Sequence, residues 1–154
     1  MNASQELRYL VLAAQREGNR ILLGLLRPLG VSPSQAEVIR VVADHGPLSL
    51  VDLGVLLVCE TGSPSRLVDG LVTASLLERI PALDDRRRVV LSLTDTGREK
   101  EVSIRGVEAV LHSFIEQSMT AVEIESVNTL LRKFVSGRPA GIAVDRRSSS
   151  SSAS

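Results

Sequence analysis

Apolar residues recur at three- and four-residue steps along most of this chain, and the rhythm changes in one place only. Over residues 5 to 27, Leu7, Leu10, Val11, Ala14, Ile21, Leu22 and Leu25 form a helical stripe, and Pro28 supplies a stop. "VSPSQAEVIRVVADHG" predicts a second helix: Ser32 or Ser34 can cap it, Pro33 suits its first turn, and Gly46-Pro47 ends it. "LSLVDLGVLLVCE" predicts a shorter apolar helix begun at Ser49. "TGSPSRLVDGLVTASLL" predicts a helix capped by Thr61 or Ser63, with Leu67, Val68, Leu71 and Val72 inward. Its opposite stripe reads Gly62, Arg66, Asp69 and Thr73 with Ser65 beside it, small and polar enough to lie against something. Then the period shortens. "LLERI" and the alternating "RVVLSLT" predict a β-hairpin that turns at "PALDDRR". Helical spacing returns over residues 95 to 118 (Ile104, Val107, Leu111, Phe114) and 120 to 135 (Val127, Leu130, Leu131, Phe134). The Ser- and Gly-rich remainder, residues 137–154, is expected to be a flexible tail.

Helix, helix, short helix, polar-faced helix, charged hairpin and long helices follow one another in the order of a winged helix-turn-helix. The fold expected is mainly α with a small β-hairpin wing. Residues 1–136 are expected to form one domain: a winged-helix lobe over about 32–97, flanked by helices 5–27 and 95–136, whose apolar stripes leave seams that a homodimer would cover. In such a lobe the polar-faced helix enters the major groove with its first residues towards base edges. The hairpin tip reaches the adjacent minor groove, whose negative potential attracts arginine.

Composition narrows the function classes. With 44% hydrophobic and 23% charged residues, the chain can form a core, and global disorder is excluded. Aromatic residues are only Tyr9, Phe114 and Phe134, so stacking on single-stranded bases has little to work with. The single cysteine, Cys59, excludes an internal disulfide framework and suits a reducing cytoplasm. Neither a signal-peptide core nor a membrane-spanning run is present, so no membrane partner is expected. No Gly-rich phosphate loop, paired-histidine helix or G-x-S-x-G elbow points to catalysis, and no cofactor is implied.

Charge sharpens the picture. The chain has zero formal net charge, and between Ser49 and Gly97 five arginines face seven acids, a local balance of −2. DNA affinity therefore has to come from a local stripe, helped by Arg146 and Arg147 in the tail. The densest positive cluster, Arg86-Arg87-Arg88, sits at the hairpin tip. Alone, such a run reads as a solvated turn paired with Asp84 and Asp85. Behind a polar-faced helix in register it reads as a wing that touches DNA. The expected contact set is Ser63, Ser65, Arg66, Arg86, Arg87 and Arg88. Asp85, two residues before Arg87, would pair with it and aim it.

Two other groups have a plain reading and a sharper one. Cys59, near the turn of the motif, is a small buried hydrophobe or, alternatively, a redox sensor. His112 stands between Glu108 and Glu116 at helical spacing, with only His45 as a second imidazole. A solvated helix face is expected there, and no metal site.

Over roughly Ser34 to Lys100 the residues resemble the MarR family of bacterial transcriptional regulators. The likeness is most specific over "DLGVLLVCETGSPSRLVDGLVTASLLERIPALDDRRRVVLSLTDTG". Here Leu53 begins the helix-turn-helix and "SRLVDGL" matches the recognition helix. The wing signature is met by Asp85, Arg87, Leu93, Thr94 and Gly97. Two positions depart from the pattern: Ser75 stands for the glycine before the hairpin, suggesting an altered left-handed turn, and Gly70 for a commonly basic residue.

The resemblance implies a homodimer on a pseudo-palindromic double-stranded DNA operator. It further implies repression released by a small-molecule effector, often an aromatic or phenolic anion. Arg16 and Arg20 on the first helix are the candidates for meeting such an anion. Two alternatives stand beside this regulator: a winged-helix protein-interaction module without DNA binding, and a regulator that senses redox state through Cys59.

Overall fold

The computed structural model of the chain describes residues 1–59 and 63–151. Thr61 and Gly62, assigned above to a cap and a polar stripe, lie outside the described residues.

Local capping sets most helix starts. Asn2 and Gln5 close a capping box on α1 (Ala3–Leu26), which passes into a 3-10 turn at Arg27–Leu29. Ser32 and Gln35 do the same for α2 (Pro33–His45), with Pro33 in the first turn and Gly46 at the end. Ser49 caps α3, which is short at Leu50–Gly54, and Ser63 caps α4 (Pro64–Thr73). Strands β1 (Leu77–Pro81) and β2 (Val89–Leu93) pair antiparallel, Leu77 opposite Leu93 and Ile80 opposite Val90. Leu48 bridges to Leu91 on the hairpin's other edge, exchanging backbone hydrogen bonds of 3.1 and 2.7 Å. Thr94 caps α5 (Asp95–Ser118), and Thr120 with Glu123 closes a capping box on α6 (Ala121–Val135).

The core sits in the lobe. Val38, Ile39 and Val41 on α2, Leu53 on α3, Val68 and Leu71 on α4, and Leu77 on β1 are all but inaccessible to solvent. Leu26 from the end of α1 and Ile104 from α5 close the cluster. Beyond them the helical arms are bare. Leu7, Tyr9 and Leu10 on α1, Phe114 and Ile115 on α5, and Leu130 and Phe134 on α6 are exposed, and α6 buries none of its residues.

A charged cluster joins arm to lobe. Arg40 on α2 is paired with Glu101, with Glu108 at 3.0 Å and with Asp44 at 3.2 Å, and Arg105 reaches Glu101 at 2.7 Å. Burial lowers the Arg40 pKa, but the three carboxylates outweigh it and hold the guanidinium charged. Glu108 therefore serves Arg40 rather than His112.

Of the flexible tail expected over 137–154, Pro139–Ser151 instead form a helix, α7, and residues 152–154 lie outside the described residues. Its composition argues for coil, but tertiary contacts hold it: Gly141 and Ala143 are buried, Asp145 pairs with Arg132 on α6, and Arg147 pairs with Glu37 on α2. Arg147, expected to help hold DNA, is thus engaged within the protein.

Candidate nucleic-acid interface

Two turns place the polar-faced helix and the wing relative to one another. The first ends α4. Leu76 N–H reaches back to Leu71 C=O (3.0 Å) and Ser75 N–H to Val72 C=O (2.9 Å), with Ser75 left-handed at φ +58. The replacement of glycine by serine therefore leaves the left-handed turn in place, contrary to the sequence expectation. Burial of Leu71 and Leu76 and a 2.6 Å hydrogen bond from the Thr94 hydroxyl to Ser75 C=O offset the steric cost. The second turn starts α5. The Thr94 hydroxyl also accepts from Gly97 N–H at 2.9 Å, and Gly97 lies so close to β1 that a Cβ there would overlap the Leu76 carbonyl oxygen. Leucine, threonine and glycine at 93, 94 and 97 thus form one joint: strand end, cap and close approach.

On α4, Ser63 and Ser65 sit at the N-terminus with their hydroxyls 2.8 Å apart, and Ser63 accepts from Arg66 N–H at 3.4 Å. Arg66 is exposed in the first turn and, among the described residues, forms no ion pair. Gly70 is open to solvent, with room for any side chain. Asp69, on the same exposed side, is paired with Arg79 of β1. Arg79 is the residue that sequence reasoning missed. It ties the recognition helix to the wing's first strand, and a pairing ten residues apart across a turn leaves no local signal.

At the hairpin tip Arg86, Arg87 and Arg88 are all exposed. Arg88 pairs with Asp84 at 2.8 Å. Arg86 and Arg87 have no salt bridge among the described residues. Asp85 does not grip the Arg87 guanidinium as expected: its carboxylate accepts from Arg87 backbone N–H at 3.0 Å, while its C=O accepts from Arg88 N–H at 2.9 Å. An aspartate two residues upstream is placed to close this turn on the backbone, which fixes where Arg87 leaves the chain and frees its charge. Of the expected contacts, Ser65, Arg66, Arg86 and Arg87 are exposed without an ion pair among the described residues, Arg88 is exposed but paired with Asp84, and Ser63 is half-buried as the cap.

The remaining candidates separate. Arg20 is ion-paired to Glu17 and lines a shallow groove with Leu23, Arg27 and Val31, whereas Arg16 is exposed and is not part of that groove. Cys59 is half-buried; burial and the neighbouring Glu37 carboxylate push its thiol up to about 11. A thiol held protonated in this way favours the hydrophobe reading over redox sensing. Among the described residues, no helix is long and apolar enough to cross a membrane.

Comparison with known proteins agrees with this geometry. A winged helix DNA-binding domain model matches residues 31–97. The multiple antibiotic resistance protein MarR of Salmonella typhimurium is 27% identical over 127 residues, covering 82% of this chain and 88% of that protein. Its Escherichia coli counterpart is 28% identical over 125 residues, covering 80% and 87%. A crystal structure of a mutant E. coli MarR complexed with operator DNA matches with a TM-score of 0.76 at 26% identity, over 88% of this chain and 99% of that one. Bordetella bronchiseptica BpsR, whose DNA binding is described as regulated by 6-hydroxynicotinic acid, shares the fold at a TM-score of 0.77 and 20% identity, over 89% and 98%. Over residues 31–97 the chain thus matches a winged helix DNA-binding domain, and over most of its length it is similar to the MarR proteins of Salmonella and E. coli.

Proposed function

We propose that the protein is a cytoplasmic homodimer that binds a pseudo-palindromic operator and represses transcription until a small-molecule effector releases it. The observation that carries the reading is the set of unpaired arginines, Arg66 at the start of α4 and Arg86 and Arg87 at the wing tip. In a lobe whose net charge is negative, paired arginines would be decoration, whereas these are left to meet phosphates and base edges. Arg66, flanked by Ser63 and Ser65, reads the major groove; Arg87, with Arg86 beside it, enters the minor groove; Arg88 keeps Asp84 neutralised and adds to the local field.

The bare arms support the dimer. Contiguous exposed leucines and phenylalanines on α1, α5 and α6 are more apolar surface than a soluble monomer ordinarily leaves to water. For the effector, the named ligand of BpsR is an aromatic acid, and a ligand of that class would suit the groove at Arg20 and Arg27. Arg16 has no comparable support.

Gel-shift titration against the DNA flanking the protein's own gene tests this reading. Saturable, sequence-specific binding of one dimer per site is expected. Absence of any preference over random duplex would instead favour the protein-interaction module.

A further inference from the structure

The helix absent from the sequence reading makes a connection that the rest of the fold lacks. α6 is part of the apolar arm, and α7 folds back from its end towards the reading head. The bend is built tightly. Gly137 takes a left-handed φ of +71, and a Cβ on Gly141 would overlap the Val135 carbonyl oxygen, so α7 lies hard against the end of α6. The Asp145–Arg132 ion pair and the burial of Ala143 hold it there.

The far end of α7 then meets the helix-turn-helix through one carboxylate. Glu37 on α2 accepts from Val58 N–H at 2.8 Å and Cys59 N–H at 2.9 Å, on the stretch that leads from α3 to α4. The same Glu37 Oε1 accepts from the Arg147 guanidinium at 2.7 Å. The carboxylate is 13% exposed and collects all three hydrogen bonds, one of them charge-assisted.

We infer that Glu37 and Arg147 form a latch through which the C-terminal helix fixes the recognition helix relative to the dimerisation arm. Arg147 is a positioning residue that sets which half-site spacing the dimer accepts. The inference rests on the dimeric, operator-binding reading above. The reading head is joined to α5 by core packing at Ile104, by the Thr94–Gly97 joint and by the Arg40 cluster; α7 adds the tie to α6, and a hold from a second helix restrains rotation about the first. Recognition helices in a dimer must match half-sites about one helical turn of DNA apart, so a stiff frame rejects a wrong spacing and a hinged one tolerates it.

The test uses full-length protein and operator duplexes in which the half-sites are moved apart or together by one base pair. Wild-type protein first has to bind the parent operator as a dimer; failure there counts against the proposed function and leaves the latch out of the comparison. Given that binding, Arg147→Ala should remain folded and dimeric by circular dichroism and sedimentation. It should also lose about 5- to 10-fold of the wild-type discrimination between parent and shifted operators, the scale of modest coupling between sites. Arg147→Glu should lose more, Arg147→Lys should recover part, and Gly141→Val should reproduce the loss without touching either latch residue. Wild-type spacing discrimination in the Arg147 variants would overturn the inference. So would an equal loss of affinity for every duplex, random sequence included, because that is the signature of a direct phosphate contact.

Discussion

The lobe and the arms of this molecule are built from the same leucines, valines and isoleucines, yet they treat them oppositely. In the lobe nearly every large apolar residue of α2, α4 and the hairpin faces another within the same chain. In the arms they face outwards, and α6 has none buried. The lobe closes its core within one chain; the arms leave their apolar faces uncovered in it. Each comparison between them has a mutation that tests it.

The largest effect is expected inside the lobe. Gly97→Val places side-chain atoms on the Leu76 carbonyl, and backbone cannot yield as a flexible side chain would. A loss of several kcal/mol is expected, roughly 3 or more, read as a collapsed urea midpoint with loss of the native lobe. A midpoint near that of wild type would mean the joint at Leu93, Thr94 and Gly97 is looser than described.

An arm mutation should behave differently. Leu130→Asp with Phe134→Asp alters surface that is exposed in the single chain, so the lobe should keep its helix content while the dimer dissociates. Light scattering should report the mass of one chain, and operator affinity should fall to that of a single half-site. A dimer that survives both aspartates would place the interface elsewhere.

A smaller effect, of opposite sign, is expected where the lobe accepts strain. Ser75→Gly relieves a left-handed residue and should stabilise the lobe by about 1 kcal/mol, with DNA binding unchanged. A destabilised variant would show that the hydroxyl or the stiffer unfolded chain matters more than the φ angle.

The smallest effect concerns Cys59. Its pKa is raised, so the native state holds the proton more tightly than the unfolded chain. The stability this contributes is complete below the ordinary thiol value of 9.0 and is lost as pH rises towards about 11. Native protein should therefore alkylate slowly with iodoacetamide at pH 7 to 8 and faster only well above pH 9. Rapid labelling at pH 7 would restore the redox-sensing alternative.

The same division explains what could be read in the sequence. Helices α2, α5 and α6 were legible to within a residue or so because Ser32, Thr94 and Thr120 announce their starts locally. The hairpin was legible because the apolar period drops to two. What escaped depends on residues distant in sequence. α7 reads as coil from its serines and exists through contacts with Val135, Arg132 and Glu37. Arg40 lies 61 and 68 residues from its partners Glu101 and Glu108, which stand on a different helix. At Ser75 the expectation of an altered turn gave too much weight to intrinsic preference, where packing of Leu71 and Leu76 decides. At Asp85 the spacing pointed to an acid paired with the Arg87 side chain, whereas the carboxylate accepts from the Arg87 backbone N–H; spacing cannot distinguish a guanidinium partner from a backbone one. The wing-tip arginines were visible as a run; that Arg88 is paired with Asp84 while Arg86 and Arg87 form no salt bridge among the described residues required the structure.

The central claim is that Arg66 and Arg87 meet DNA in different ways, and salt-titrated binding isotherms on cognate and scrambled duplexes test it most directly. Arg66→Ala should cost on the order of 1–3 kcal/mol per half-site on the cognate duplex, much less on the scrambled one, and relax specificity at one position. Arg87→Ala should weaken both duplexes alike, or AT-rich flanks preferentially, and lower the salt dependence by at most about one counterion per subunit. Asp85→Ala should be a milder Arg87→Ala, because it loosens the turn and leaves the charge. Wild-type isotherms in both arginine variants, at every salt concentration, would contradict the account.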